Sequence, residues 1–339
     1  MNRKVISILA ISLSALTLSS CRSTAPQATL DNPTTPVSSN GLQVSWGGPK
    51  NISMLPIIAE QQGLLTKAGL SAKRQDIQTG KLAMDAVNSG SLDIGIIVDT
   101  NIAFIKFQPA KLKVVAVIAE KSDDAIIARK DTGITNAKQL EGKKLGVTFG
   151  TTSHAMTMAY LQSQGVDTSK VTFVNQPPPA LQAALTKGDI DAAGLWQPLR
   201  FNAKTVLKDN AVELRQTPAY KARALVVVRE DYAKTHQQEI SKFLKAMIDA
   251  EDYTRTHQQE AQSILSKEVG IPANVLSSSW GEYNLNVSMS KDLLTGLESQ
   301  GKWIIATQPE FKQKPAPKYA EALDPTFLKQ VKADKVTGF

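Results

Sequence analysis

Met84-Asp85-Ala86-Val87-Asn88-Ser89-Gly90-Ser91-Leu92-Asp93-Ile94-Gly95 is the stretch whose reading decides the fold. It runs as the end of a helix, a glycine stop, an acid and then an apolar strand. The same order returns in Gln182-Ala183-Ala184-Leu185-Thr186-Lys187-Gly188-Asp189-Ile190-Asp191-Ala192-Ala193. Gly90 and Gly188 suit the left-handed residue that closes a helix. The apolar runs Leu92 to Val98 and Ile190 to Leu195 are the continuous kind found in strands buried on both faces. Two copies of one plan predict two similar lobes rather than one sheet.

Outward from these copies, strands alternate with helices. Before the first lie a strand at Leu42 to Trp46 and helical spacing from Ile52 to Leu65, with a further strand, Val114 to Ile118, after it. Around the second lie strands at Lys144 to Thr148 and Val171 to Val174, and helices at Ser153 to Gln162 and Ala180 to Thr186. This alternation predicts an α/β protein with two mostly parallel sheets and helices on both faces. The apolar strands Ala125 to Arg129 and Ala224 to Arg229 flank the second lobe. If they pair, the chain crosses between lobes twice and forms a two-strand hinge. The expected first lobe is residues 41–125 and 226–339 with its C-terminal helices, and the second is 126–225. Thr-His-Gln-Gln-Glu occurs at Thr235 and again at Thr256, which reads as a Thr-x-x-Gln capping box used twice. Ala316 to Phe339, with its prolines, reads as a C-terminal strap.

The first 40 residues have another character. Arg3 and Lys4 precede an apolar run, Val5 to Leu18, too short to span a bilayer core of about 30 Å. This predicts a signal peptide over 1–20. Leu18-Ser19-Ser20-Cys21 resembles a bacterial lipobox, in which the cysteine becomes a diacylated N-terminus. Cys21 is the only cysteine, so an internal disulfide is excluded. Arg22 to Asn40 is rich in Ser, Thr and Pro and reads, with Cys21, as a flexible tether over 21–40. Loss of Arg3 and Lys4 with the leader lowers the formal charge from +8 by two, to +6. Lys and Arg are scattered and aromatics make up only 6%, so no basic stripe with stacking rings points to nucleic acid.

In open α/β sheets, ligands sit beyond the carboxyl ends of the strands, where helix N-termini offer unpaired N–H groups. Four strand tips meet that description: Trp46-Gly47-Gly48, Asp99-Thr100-Asn101, Gly150-Thr151-Thr152-Ser153-His154 and Trp196-Gln197-Pro198. The third is richest in donors: its hydroxyls, His154 and the backbone N–H groups suit an oxyanion. Trp46 and Trp196 are expected to wall the cleft against an organic ligand body. Asp99 is expected either to pair with a cationic ligand group or to cap the following helix. Gly47, Thr100, Asn101 and Gln197 complete the candidate set.

Several blocks carry a family resemblance. These are Ser89-Gly90-Ser91-Leu92-Asp93-Ile94-Gly95, Leu140-Glu141-Gly142-Lys143-Lys144-Leu145-Gly146-Val147, Gly150 to His154, and Lys187 to Pro198. In this order they resemble the periplasmic aliphatic-sulfonate- and taurine-binding proteins of ABC importers, a group with nitrate-binding and thiamine-precursor-binding relatives. The resemblance covers roughly 42–301. It implies a type II periplasmic-binding-protein clamshell with two crossings, no catalysis, no cofactor, and a permease and its ATPase as partners. The expected protein is an exported lipoprotein, membrane-anchored in the periplasm or at the cell surface, monomeric, and binding a small organic anion. The family often has Gly-Asp-x-Pro where this chain has Val98-Asp99-Thr100-Asn101. It often has Trp-Asp-Pro or Trp-Glu-Pro where this chain has Trp196-Gln197-Pro198. Losing that acid bears on the ligand more than on the family. The fold that the resemblance implies also includes some enzymes, among them pyrimidine-forming ones with a Cys-rich motif and pyrrole-polymerising ones that attach a cofactor through Cys, and this chain has no cysteine beyond Cys21. No Gly-x-Ser-x-Gly, P-loop or His-Glu-x-x-His motif is present. Three histidines without companion cysteines support no structural zinc site. A sensory lipoprotein is the alternative from another class.

Overall fold

The computed structural model describes residues 41–107, 111–215 and 221–339; the expected leader, Cys21 and the tether lie outside them. The chain begins β1 (Leu42–Gly48), α1 (Met54–Gln61), α2 (Leu64–Lys67), β2 (Leu70–Asp76), α3 (Gly80–Ser89), β3 (Ile94–Val98), α4 (Asp99–Ile105) and β4 (Leu112–Lys121). It then crosses to β5 (Ala125–Arg129), β6 (Lys144–Val147), α5 (Thr152–Ser163), β7 (Thr172–Asn175), α6 (Pro178–Lys187), β8 (Ala192–Leu195), α7 (Leu199–Leu207) and β9 (Ala211–Leu214). It returns through β10 (Ala222–Arg229), α8 (Glu230–Thr235), α9 (Gln237–Thr256), α10 (Gln258–Val269), α11 (Ala273–Ser278), β11 (Tyr283–Asn284), β12 (Met289–Ser290), α12 (Lys291–Thr307), α13 (Thr326–Val331) and β13 (Val336–Thr337).

Two sheets result, with strand orders β11-β4-β10-β3-β1-β2 and β7-β6-β8-β5-β9. Both are mixed, which corrects the expectation of mostly parallel sheets. In the first, β1 runs parallel to β2 and β3, while β10 is antiparallel to β3 and β4. In the second, β6 is parallel to β7 and β8, and β5 is antiparallel to β8 and β9. The cause is the double crossing. Each crossing delivers a strand, β5 or β10, that starts between the sheets and runs outward, whereas its neighbours run inward. The strands Ala125–Arg129 and Ala222–Arg229 therefore do not pair with each other, as a two-strand hinge would require. The sheets exchange between Lys121 and Ala125 and between Leu214 and Ala222, a few residues before the expected boundaries at 125 and 225. Along β5, Ile126 and Ala128 pack with Met156 and Leu161 of α5, while Ala125 and Ile127 pack with Leu181 and Leu185 of α6. That two-sided burial explains why its sequence is continuously apolar.

The repeat is physical. Gly90 and Gly188 close α3 and α6 at φ +84° and +91°. Asp93 Oδ2 accepts the Ser45 N–H at 2.8 Å in the middle of β1, and Asp191 Oδ2 accepts the Lys144 N–H at 2.8 Å at the start of β6, so each acid is tied to the strand beside it. Arg229 Nη1 donates to Val87 O at 3.4 Å, and Arg129 Nη1 donates to Leu185 O at 3.1 Å, each satisfying a carbonyl at a helix end.

The Thr-His-Gln-Gln-Glu pair is not a pair of capping boxes. Thr235 and Thr256 are the last residues of α8 and α9, and their hydroxyls donate back to Asp231 O and Asp252 O. His236 and His257 form the kinks, at φ −123° and −127°, and their rings stack on Tyr232 and Tyr253. The C-terminal segment returns to the first lobe. Its Tyr319 hydroxyl donates to Ala103 O at 2.8 Å, and β13 pairs with β12.

Candidate functional site

Between the two sheets lies a cavity of about 390 Å³ of empty volume. The first lobe supplies Pro49, Asn51 and Ile52 after β1, Gln78, Thr79 and Gly80 at the start of α3, and Val98 and Asn101 at the start of α4. The second supplies Thr151, Thr152 and Ser153 at the start of α5, and Trp196 after β8. Lys121 and Asp124, in the first crossing, complete the lining.

The α5 N-terminus is built to receive an acceptor. Thr151 is its cap: its hydroxyl accepts the His154 N–H at 3.4 Å and donates to Thr148 O at 2.7 Å. One side chain therefore does the capping. The hydroxyls of Thr152 and Ser153, 4% and 0% exposed, have no hydrogen-bond partner among the described residues. Buried polar groups are normally paired, and leaving one unpaired costs about 1–3 kcal/mol. Two such donors beside the free N–H groups of a first helical turn make an anion pocket. Asn101 of the first lobe reaches across, donating from Nδ2 to Gly150 O at 3.3 Å, so the lobes touch at this point.

The first crossing brings a charged cluster that sequence reading missed. Lys121 Nζ lies 2.5 Å from Asp123 Oδ1 and 2.7 Å from Asp124 Oδ2. Burial disfavours the Lys121 ammonium, but the two carboxylates outweigh it and raise its pKa. Burial also opposes ionisation of Asp123, yet Lys121, the Gln197 N–H and Arg200 hold its pKa below the usual value. For Asp124 burial prevails over Lys121, with Asp123 adding repulsion, and its pKa is raised. The sequence shows only Lys-Ser-Asp-Asp, which looks like a solvated turn; the strand ending at Lys121 buries it.

Of the sequence-selected residues, Asn101, Thr151, Thr152, Ser153 and Trp196 meet at this cavity. Trp46 does not wall it. Its ring is 1% exposed inside the first lobe, against Phe243 with Arg74 above it, because β1 continues to Gly48 and the side chain projects from the sheet toward α9. Gly47 is enclosed in the sheet, where a Cβ would come within 2.5 Å of Gln75 O. The tip after β1 is Pro49 to Ile52. Asp99, the buried first residue of α4, accepts from Gln300 Nε2 at 3.0 Å and faces Arg223; burial raises its pKa despite those partners. Thr100 is buried beside it and is not part of the lining. Gln197 Oε1 accepts the N–H of Phe201, within α7, at 3.1 Å, and Gln197 is not part of the lining. His154 turns to a second crevice with about 810 Å³ of empty volume, lined also by Phe104, Phe149 and Phe311. It stacks on Phe149, and burial lowers its pKa to about 4.

Two α/β lobes, joined by two crossings over a cavity at strand and helix ends, define the class: a periplasmic-binding-protein fold. The solved alkanesulfonate-binding protein SsuA from Xanthomonas axonopodis pv. citri, bound to MOPS, superposes with a TM-score of 0.72 at 18% identity, covering 85% of this chain and 99% of that one. The nitrate-binding protein NrtA from Synechocystis PCC 6803 gives 0.69 at 14% identity, over 87% of this chain and 89% of that one. Residues 51–261 match the family described as NMT1/THI5 like, and the chain belongs to that family. The taurine-binding periplasmic protein of Escherichia coli K12 is 29% identical over 183 residues, which is 53% of this chain and 56% of that protein. The match thus spans about half the length of that curated relative.

Proposed function

We propose that the chain is an exported solute-binding protein that closes two lobes over a small organic anion, an aliphatic sulfonate or a taurine-like molecule. It delivers the anion to an ABC permease and its ATPase. Diacylated Cys21 holds it at the membrane as a monomer on a tether. The observation that carries the ligand assignment is the pair of unpartnered, buried hydroxyls of Thr152 and Ser153 at the start of α5, facing an inter-lobe cavity. A sulfonate supplies three acceptor oxygens to those hydroxyls and the adjacent N–H groups. Trp196, half-buried in the cavity lining, offers an apolar face to the carbon chain. The relatives support the reading: one binds taurine by name, and a fold neighbour was solved with MOPS, itself a sulfonate.

The test is a calorimetric screen of alkanesulfonates, taurine, nitrate, carboxylates and pyrimidines. A sulfonate is expected to bind. Each of Thr152→Ala and Ser153→Ala is expected to weaken it roughly tenfold or more, the worth of a hydrogen bond to a charged group. Binding of an uncharged heterocycle alone would overturn the ligand class.

A further inference from the structure

We propose that Asp124 recognises a cationic group, so that the ligand is a zwitterion bearing an ammonium as well as its anionic end. This rests on the cleft being the anion site described above.

Asp124 is 5% exposed and lines the cavity. Its Oδ2 receives Lys121 Nζ, but its Oδ1 has no hydrogen-bond partner among the described residues. Asp123, one residue earlier, has no such vacancy. Its Oδ1 takes Lys121 Nζ, and its Oδ2 takes the Gln197 N–H at 3.1 Å and the Tyr283 hydroxyl at 3.2 Å. Two carboxylates thus share one ammonium, and only the one at the cavity is left short of donors. The next cation, Arg200, does not supply them. Its Nη1 donates to Asp123 O and its Nη2 to Glu282. A carboxylate oxygen buried without a donor is unstable in a purely structural role, and removing the charge would relieve it. A ligand ammonium donating to Oδ1 would complete the set and neutralise the second carboxylate.

The experiment titrates the full chain calorimetrically with taurine (2-aminoethanesulfonate) and with ethanesulfonate. The two share the anion and the carbon chain and differ in the ammonium. Taurine is expected to bind at least about tenfold more tightly, the usual scale for a desolvated charge pair. Asp124→Asn is expected to abolish the preference, so that taurine and ethanesulfonate bind the variant with the same affinity. Equal binding of the two ligands by the unaltered protein would overturn the cation site and leave the anion reading standing. A taurine preference that survives Asp124→Asn would also overturn it. Binding of neither would remove both readings. Should Asp124→Asn lose its cooperative thermal transition, Asp124→Ser replaces it, and the ligand pair on the unaltered protein still decides.

Discussion

Ser153 and His154 are neighbours in sequence and face different cavities, because successive helical residues are turned by about 100°. Ser153 keeps an open hydroxyl at the ligand cavity. His154 is enclosed by Phe149, with the Trp303 ring edge-on at 6.3 Å, and is held neutral. Its pKa falls from the ordinary 6.5 to about 4, through burial that nearby Glu310 only partly offsets. Between those values the unfolded chain binds the proton that the folded chain refuses. The stability from this group is therefore complete above pH 6.5 and is lost as pH falls toward 4. Its size is up to about 3 kcal/mol. Chemical denaturation at pH 7 and pH 4.5 should show a smaller acid loss for His154→Asn than for the unaltered protein. Equal losses would mean that His154 is not the group responsible.

At the scale of elements, the helix–glycine–acid–strand repeat was the most legible feature, because each of its steps is local. A left-handed closing residue, an acid within reach of a strand N–H and an apolar strand leave marks at fixed spacing. Gly90→Ala and Gly188→Ala should each destabilise by about 1–2 kcal/mol, the cost of a Cβ in the left-handed region. Thermal unfolding checks this, and an unshifted midpoint in both would contradict the closing role. Where sequence reading failed, the deciding facts were tertiary. Thr235 and Gln238 have capping-box spacing, but the helix before them runs on to Thr235 and takes the hydroxyl. Trp46 looked like a strand tip because nothing local marks the strand's extension to Gly48. Lys121 and Asp124 were missed because charge clusters are usually solvated, and only the return of β10 and β11 alongside β4 encloses this one. The anion half of the cavity was legible for the opposite reason: Thr151-Thr152-Ser153 carries more hydroxyls than one helix cap can use.

On the scale of the whole molecule, the two crossings and the Asn101–Gly150 contact describe lobes that meet over the cavity. Ligand contacts drawn from both lobes favour this arrangement over any opened one, and a ligand shifts the balance only by that difference. Small-angle scattering should therefore show a smaller radius of gyration with a bound sulfonate than without. An unchanged radius would argue against closure. Saturation at a hundredfold excess over Kd should also add about 2.7 kcal/mol of stability. The most direct test of the account is a crystal structure with 2-bromoethanesulfonate, located by its bromine anomalous signal. Sulfonate oxygens are expected on the Thr152 and Ser153 hydroxyls and the first N–H groups of α5, with the bromine toward Trp196. Bromine found only outside this cavity would contradict it.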